Sequence, residues 1–190
     1  MAQLYLIRHA RSQMMGDAAW RWDLSQRGRR EASTLARQDF WRHVDRILSS
    51  PELKAQQTAE PAARRWDIPL ETVDCLHELR RPRLVKDYPA TIARVFAEPE
   101  CTIAGLETAS HAADRVQHCI QDLATAHPHQ TLAVVSHGLL LVLFLARLQN
   151  RWPTTKEWQA VPFAGVAVLD TNTWQIVENW SRFSRPSKIG

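Results

Sequence analysis

The chain has 190 residues, 45% hydrophobic and 23% charged, with a formal net charge of +4 at pH 7. That balance excludes a disordered chain and predicts one globular domain over residues 1–190, long enough for a substantial core. The positive excess suits an anionic ligand, but the densest basic groups, Arg27-Gly28-Arg29-Arg30 and Arg80-Arg81-Pro82-Arg83, are too short to predict a nucleic-acid partner.

Leu4-Tyr5-Leu6-Ile7 opens the chain as a strand, since an apolar, β-prone run without polar interruption reads as buried on both faces of a parallel sheet. It ends in Arg8-His9. Residues 11–22 read as a loop over that end of the sheet, and Ser25 predicts the cap of a helix running to about Phe40. A second strand at 45–49 leads into a helix over 51–65, and a short extended piece follows at 70–73. The segment 78–100 is proline-bearing and aperiodic, which predicts an irregular or partly helical cap. Apolar residues at Ala112, Ala113, Val116, Ile120, Leu123 and Ala124 recur at helical spacing and predict an amphipathic helix over 109–126. Next comes a second buried strand at 131–136, ending in Ser136-His137, and an apolar helix over 138–149. Residues 165–169 and 174–178, joined through Asp170-Thr171-Asn172-Thr173, read as an antiparallel hairpin. The expected fold is an α/β/α sandwich of three layers, with a mostly parallel central sheet and an antiparallel edge hairpin.

Cys75, Cys101 and Cys119 show no paired spacing of the kind that metal sites or disulfide frameworks use, which predicts a reducing compartment. The first strand begins by residue 3, with no signal peptide before it, and the longest apolar stretch, 138–146, falls short of the roughly 20 residues that span a bilayer. The expectation is a cytoplasmic protein with no membrane partner.

In open parallel sheets, ligands collect at the carboxyl ends of the strands. Two strands here deliver a histidine to that edge, His9 and His137. Arg8 adds a fixed charge, and the strand at 45–49 runs into Ser49-Ser50-Pro51-Glu52-Leu53-Lys54, which brings a second cation. Two imidazoles and two cations in one pocket suit a phosphoryl group. A neutral imidazole is a good nucleophile near pH 7, and its phosphorylated form is reactive enough for water to attack, so one hard displacement becomes two easier ones.

Five motifs, in this order, resemble those of the histidine phosphatase (phosphoglycerate-mutase-like) superfamily: Leu6-Ile7-Arg8-His9-Ala10-Arg11-Ser12, Leu24-Ser25-Gln26-Arg27-Gly28-Arg29-Arg30-Glu31-Ala32, residues 49–59, Leu76-His77-Glu78, and Val135-Ser136-His137-Gly138. The resemblance implies that His9 becomes phosphorylated, that Arg8, Lys54 and His137 clamp the phosphoryl oxygens, and that Glu78 donates a proton to the leaving oxygen. It implies neither metal nor cofactor. Lys54 stands where the family usually has arginine, so charge is kept but the bidentate fork is lost; a solvated lysine at a helix start is the other reading. Glu78 reads either as the acid or as a surface glutamate. An incoming phosphate would raise its pKa, and Arg80 and Arg81 would oppose that. Ala10-Arg11 and Met15 replace residues common in the family. Arg11 and Ser12 are possible substrate contacts, and Arg11 equally suits a solvent-facing position. Trp20 and Trp22 read as an apolar wall or as packing.

The resemblance to the mutases of that superfamily is looser, because the loop between His9 and Leu24 is shorter than in them and no long insertion precedes Glu78, and this implies hydrolysis over mutase chemistry. The expected activity is metal-independent hydrolysis of a small phosphorylated metabolite. Phosphohistidine protein phosphatase activity and phosphate binding with weak catalysis are the alternatives.

Overall fold

A computed structural model describes residues 3–81 and 84–183; Pro82 and Arg83, in the segment expected as a cap, lie outside them. Strand β1 (Gln3–Arg8) pairs in parallel with β4 (Leu132–Ser136), which pairs on its other side with β2 (Arg46–Ser49), followed by β3 (Leu70–Thr72). On the opposite flank β1 meets β5 (Val166–Asp170) and then β6 (Ile176–Ser181), both antiparallel, giving the order β3-β2-β4-β1-β5-β6. The continuous apolar runs occupy the centre, whereas β3 and most of β6 are exposed at the two edges.

Strand alternation sorts the core into two layers. Tyr5, Ile7, Ile47, Ala133, Val135, Val166 and Val168 pack under α1 (Gln26–Leu35) and α2 (Leu53–Trp66). Leu4, Leu6, Leu48, Leu132, Val134 and Leu169 face α3 (Tyr88–Ala97), α4 (Ala109–Ala126) and α5 (Gly138–Leu148). Helix α5 is buried from Gly138 through Ala146, which explains why it is apolar all round. The three-layer architecture expected from the sequence is the one observed. No helix among the described residues is long and apolar enough to cross a membrane.

Three local expectations are corrected. Ser25 does cap α1, accepting from the Gly28 N–H at 3.1 Å, but the helix stops at Leu35 instead of reaching Phe40. The chain closes there with tighter i→i+3 bonds, Arg37 N to Thr34 at 3.2 Å and Gln38 N to Leu35 at 3.0 Å, and the buried Trp41 indole and the Gln38 amide donate to the same two carbonyls, Leu35 at 2.8 Å and Thr34 at 2.9 Å. A short helix, α6 (Thr155–Ala160), was not expected at all. Its signal is a capping box: the Thr154 hydroxyl accepts from Glu157 N, and the Glu157 carboxylate accepts from Thr154 N. Finally, Cys75 and Cys119 are joined in a disulfide across 44 residues, which removes the basis for inferring a reducing compartment. The pairing was invisible in the spacing because packing creates it, seating the 3-10 turn Asp74–Leu76 against α4.

Candidate active site

Register assembles the site. Arg8 lies opposite Ser136 across the β1–β4 pair, the His9 N–H donates to the Ser136 carbonyl at 2.8 Å, and the Ser50 N–H donates to Val135 at 2.9 Å. Three strand ends therefore set His9, His137 and Ser50 side by side, with the two imidazole centroids 5.2 Å apart. Two motif glycines make room for this. A Cβ on Gly138 would stand 2.8 Å from Arg8 Nε, and one on Gly28 would stand 1.9 Å from the Arg11 carbonyl oxygen. Thr58, on α2, accepts the Ala10 N–H at 2.9 Å and donates to the Lys54 carbonyl at 2.6 Å, locking the loop after His9 to that helix.

The His9 ring is oriented by a 2.7 Å contact between Nδ1 and the Ala10 carbonyl. A carbonyl can only accept, so Nδ1 carries the proton and Nε2 keeps its lone pair. Burial is the main reason that His9 stays neutral well below the usual histidine range, and His137, Lys54 and Arg8 push in the same direction. His137 is fully buried and also held neutral, by burial first and then by Lys54, His77 and Arg8. It therefore offers a hydrogen bond, not a charge. Its Nε2 lies 2.7 Å from Ser50 Oγ, while its Nδ1 and Arg8 Nε are buried without a hydrogen-bond partner among the described residues. Orphaned polar atoms of this kind cost about 1–3 kcal/mol each, and they mark places where a ligand can supply the partner. The Arg8 guanidinium donates to the Val161 carbonyl and rests 3.8 Å above the Phe163 ring. Burial lowers it to about 10, which leaves it charged at neutral pH.

Lys54 is buried, at 5% exposure, so it is not a solvated helix-start lysine. Its Nζ donates to the Ala19 carbonyl at 2.9 Å and forms a very short contact with Glu52 Oε2. Glu78 sits at the amino end of α5, accepting from Leu139 N at 3.3 Å and Leu140 N at 3.0 Å, and from its neighbour Leu79 N at 3.1 Å. Burial raises its pKa, the Glu52 charge adds to that, and the Leu79 and Leu139 N–H groups and Lys54 oppose it. The opposition expected from Arg80 and Arg81 is replaced by these groups. Arg80 turns outward to Asp74 at 3.5 Å, and Arg81 lies over the rings of Trp22 and Tyr88 at 5.3 and 5.1 Å.

Arg11 is placed beside the cluster but paired with Glu31 at 3.2 Å, its guanidinium 4.8 Å from the Phe163 centroid. Ser12 forms a backbone bridge with Leu24. Trp22 is packed, with its Nε1–H shared by the Met15 and Gly16 carbonyls, whereas Trp20 is half exposed and lines a cavity of about 720 Å³. That cavity reaches the cluster through Glu52, Lys54 and Glu78; Arg8, His9 and His137 do not line it. Among the described residues, no group of three or more His, Cys, Asp or Glu is arranged to hold a metal ion. Sequence reasoning missed Glu52, Ser50, Thr58 and Phe163. The first three lie inside the motif at 49–59 without a role assigned to them, and nothing in the sequence marked Phe163.

Phosphoserine phosphatase 1 of Hydrogenobacter thermophilus is 28% identical over 150 residues, which are 72% of this chain and 71% of that protein. The solved structure of phosphoserine phosphatase from Entamoeba histolytica in complex with 3-phosphoglyceric acid shares the fold with a TM-score of 0.78 at 19% identity, covering 97% of this chain and 99% of that one. A mycobacterial glucosyl-3-phosphoglycerate phosphatase in complex with VO3 does so with a TM-score of 0.75 at 19% identity, covering 98% and 100%. The family model extends from residue 4 to residue 180, across all five motifs, and on that match the chain belongs to the histidine phosphatase superfamily, branch 1.

Proposed function

We propose that the protein hydrolyses a small phosphomonoester, without a metal, through a phosphohistidine on His9. The observation that carries this reading is the His9 ring itself: neutral, with Nδ1–H tied to the Ala10 carbonyl and the Nε2 lone pair free. In the first step Nε2 attacks phosphorus, the bond to the leaving oxygen breaks, and protonated Glu78 gives that oxygen its proton. In the second step the Glu78 carboxylate takes a proton from water as the water oxygen attacks phosphorus. The P–N bond then breaks, which releases inorganic phosphate and restores neutral His9. Arg8 and Lys54 offset the charge on the non-bridging oxygens, and His137 adds a hydrogen bond. Such fixed contacts are the main source of rate in phosphoryl transfer.

Similarity to a phosphoserine phosphatase makes phosphoserine the first substrate to assay. Rapid quenching during turnover of a labelled phosphoester should trap base-stable, acid-labile label on His9, and His9→Ala should abolish both label and turnover. Label on a serine, or turnover by His9→Ala, defeats this mechanism.

A further inference from the structure

We propose that Glu52 is the positioning residue of this site, holding the acid Glu78 and the cation Lys54 in one hydrogen-bonded unit. The inference rests on the phosphatase reading above and extends it to a residue with no part in the steps just described. Glu52 follows the β2 strand end and is buried. One carboxylate oxygen, Oε1, accepts the Glu78 N–H at 2.8 Å and lies 3.5 Å from His137 Nε2; the other pairs with Lys54. Its own N–H reaches Ser50 Oγ at 3.3 Å, and that hydroxyl contacts His137. A single side chain thus touches the proton donor's backbone, the clamp's lysine and the second histidine.

The chemistry of a carboxylate at this place is informative. A buried anion beside a phosphoryl pocket opposes substrate binding, so its favourable contribution must lie elsewhere. Glu78 is faced by Glu52 and Lys54 at the start of α2, by Arg8 at the end of β1, by Tyr88 on α3, and by the N–H groups of Leu79, Leu139 and Leu140. Among these, the cations and the N–H groups favour the ionised carboxylate. The Glu52 anion favours the protonated acid, which is the form that donates to a leaving group. The Lys54–Glu52 contact also restrains a flexible ammonium, which lacks the planar fork of an arginine.

Glu52→Gln in the full chain separates charge from shape, because the amide oxygen still accepts the Glu78 N–H. The alkaline limb of the kcat profile should move to lower pH, so that kcat on that side falls roughly 3–10-fold, and inorganic phosphate should inhibit several-fold more tightly once the like charge is gone. Glu52→Ala, which also frees the Glu78 backbone, should lower kcat at every pH by roughly 10–100-fold. A Glu52→Gln enzyme whose pH profile and phosphate inhibition superimpose on wild type would overturn the proposal even if Glu52→Ala fails to fold. The His9 label distinguishes the two failures: an intact phosphohistidine with an unshifted Glu52→Gln profile removes only the role of Glu52, whereas absence of the label removes the phosphatase mechanism itself.

Discussion

Replacing Lys54 by alanine should damage activity and stability through separate routes, and the structure sets the size of each. On the proposed mechanism the Lys54 Nζ at the start of α2 contacts the phosphoryl group on His9, and losing such a contact costs about 3 kcal/mol of transition-state stabilisation, roughly a 100-fold fall in kcat/KM. The same change leaves the buried Glu52 carboxylate without its partner. Breaking a buried pair in this way costs about 3–5 kcal/mol, and the Glu78 N–H that remains on Glu52 places the expectation at the lower end. For a chain of 190 residues, about 3 kcal/mol corresponds to a fall in Tm of roughly 6–12 °C. Lys54→Met with Glu52→Gln should recover most of the lost stability, because no unpaired charge stays buried, yet kcat/KM should remain low. Lys54→Arg keeps the charge and should retain much more activity than Lys54→Ala. Phosphate release from phosphoserine and thermal melting followed by circular dichroism supply the two readouts. Near-normal Lys54→Ala beside a crippled Arg11→Ala would refute the reasoning, since Arg11 is already engaged by Glu31 and its loss should cost less than roughly tenfold.

Three further outcomes follow from particular contacts. On the proposed mechanism His9 attacks as the neutral imidazole, and its lowered pKa puts the acid limb of kcat/KM below the ordinary 6.5; because His9 and His137 are both buried neutral, their contribution to stability is complete above about pH 6.5 and is lost as pH falls below it, which melting curves between pH 4 and 8 would check. Gly138→Ala should leave the melting temperature within a few degrees of wild type yet lower kcat/KM roughly 10–100-fold, since the new methyl would displace Arg8; an unaffected enzyme would mean that the guanidinium position does not matter. Reducing the Cys75–Cys119 bond, or replacing both cysteines by alanine, should destabilise the chain by up to about 4 kcal/mol, the loop-entropy value for 44 residues, and an unchanged denaturant midpoint would argue against the bond in solution.

The strands that build the site could be read directly, because a run such as Leu132-Ala133-Val134-Val135 has no polar residue to turn toward water and must be covered on both faces. The span of α4 was equally plain, since its apolar stripe repeats over the whole helix from Ala109 to Ala126. His9, Arg8, His137 and Glu78 each sit inside a motif, so local sequence marked them as candidates. What local sequence does not contain is register and partnership. That His9 lies beside Ser136, that Glu52 reaches both the Glu78 N–H and the edge of His137, and that Cys75 meets Cys119 all depend on residues far apart in the chain being brought together by packing. The end of α1 follows the same logic. Residues 36–40 carry no strong helix-stop signal of their own, and the Trp41 indole that donates to the Leu35 carbonyl at the helix end is brought there by burial of its ring in the core layer. Periodicity and strand-end chemistry are properties of a segment, whereas a buried charge, a disulfide or a captured carbonyl takes its meaning from the neighbours that the folded chain supplies.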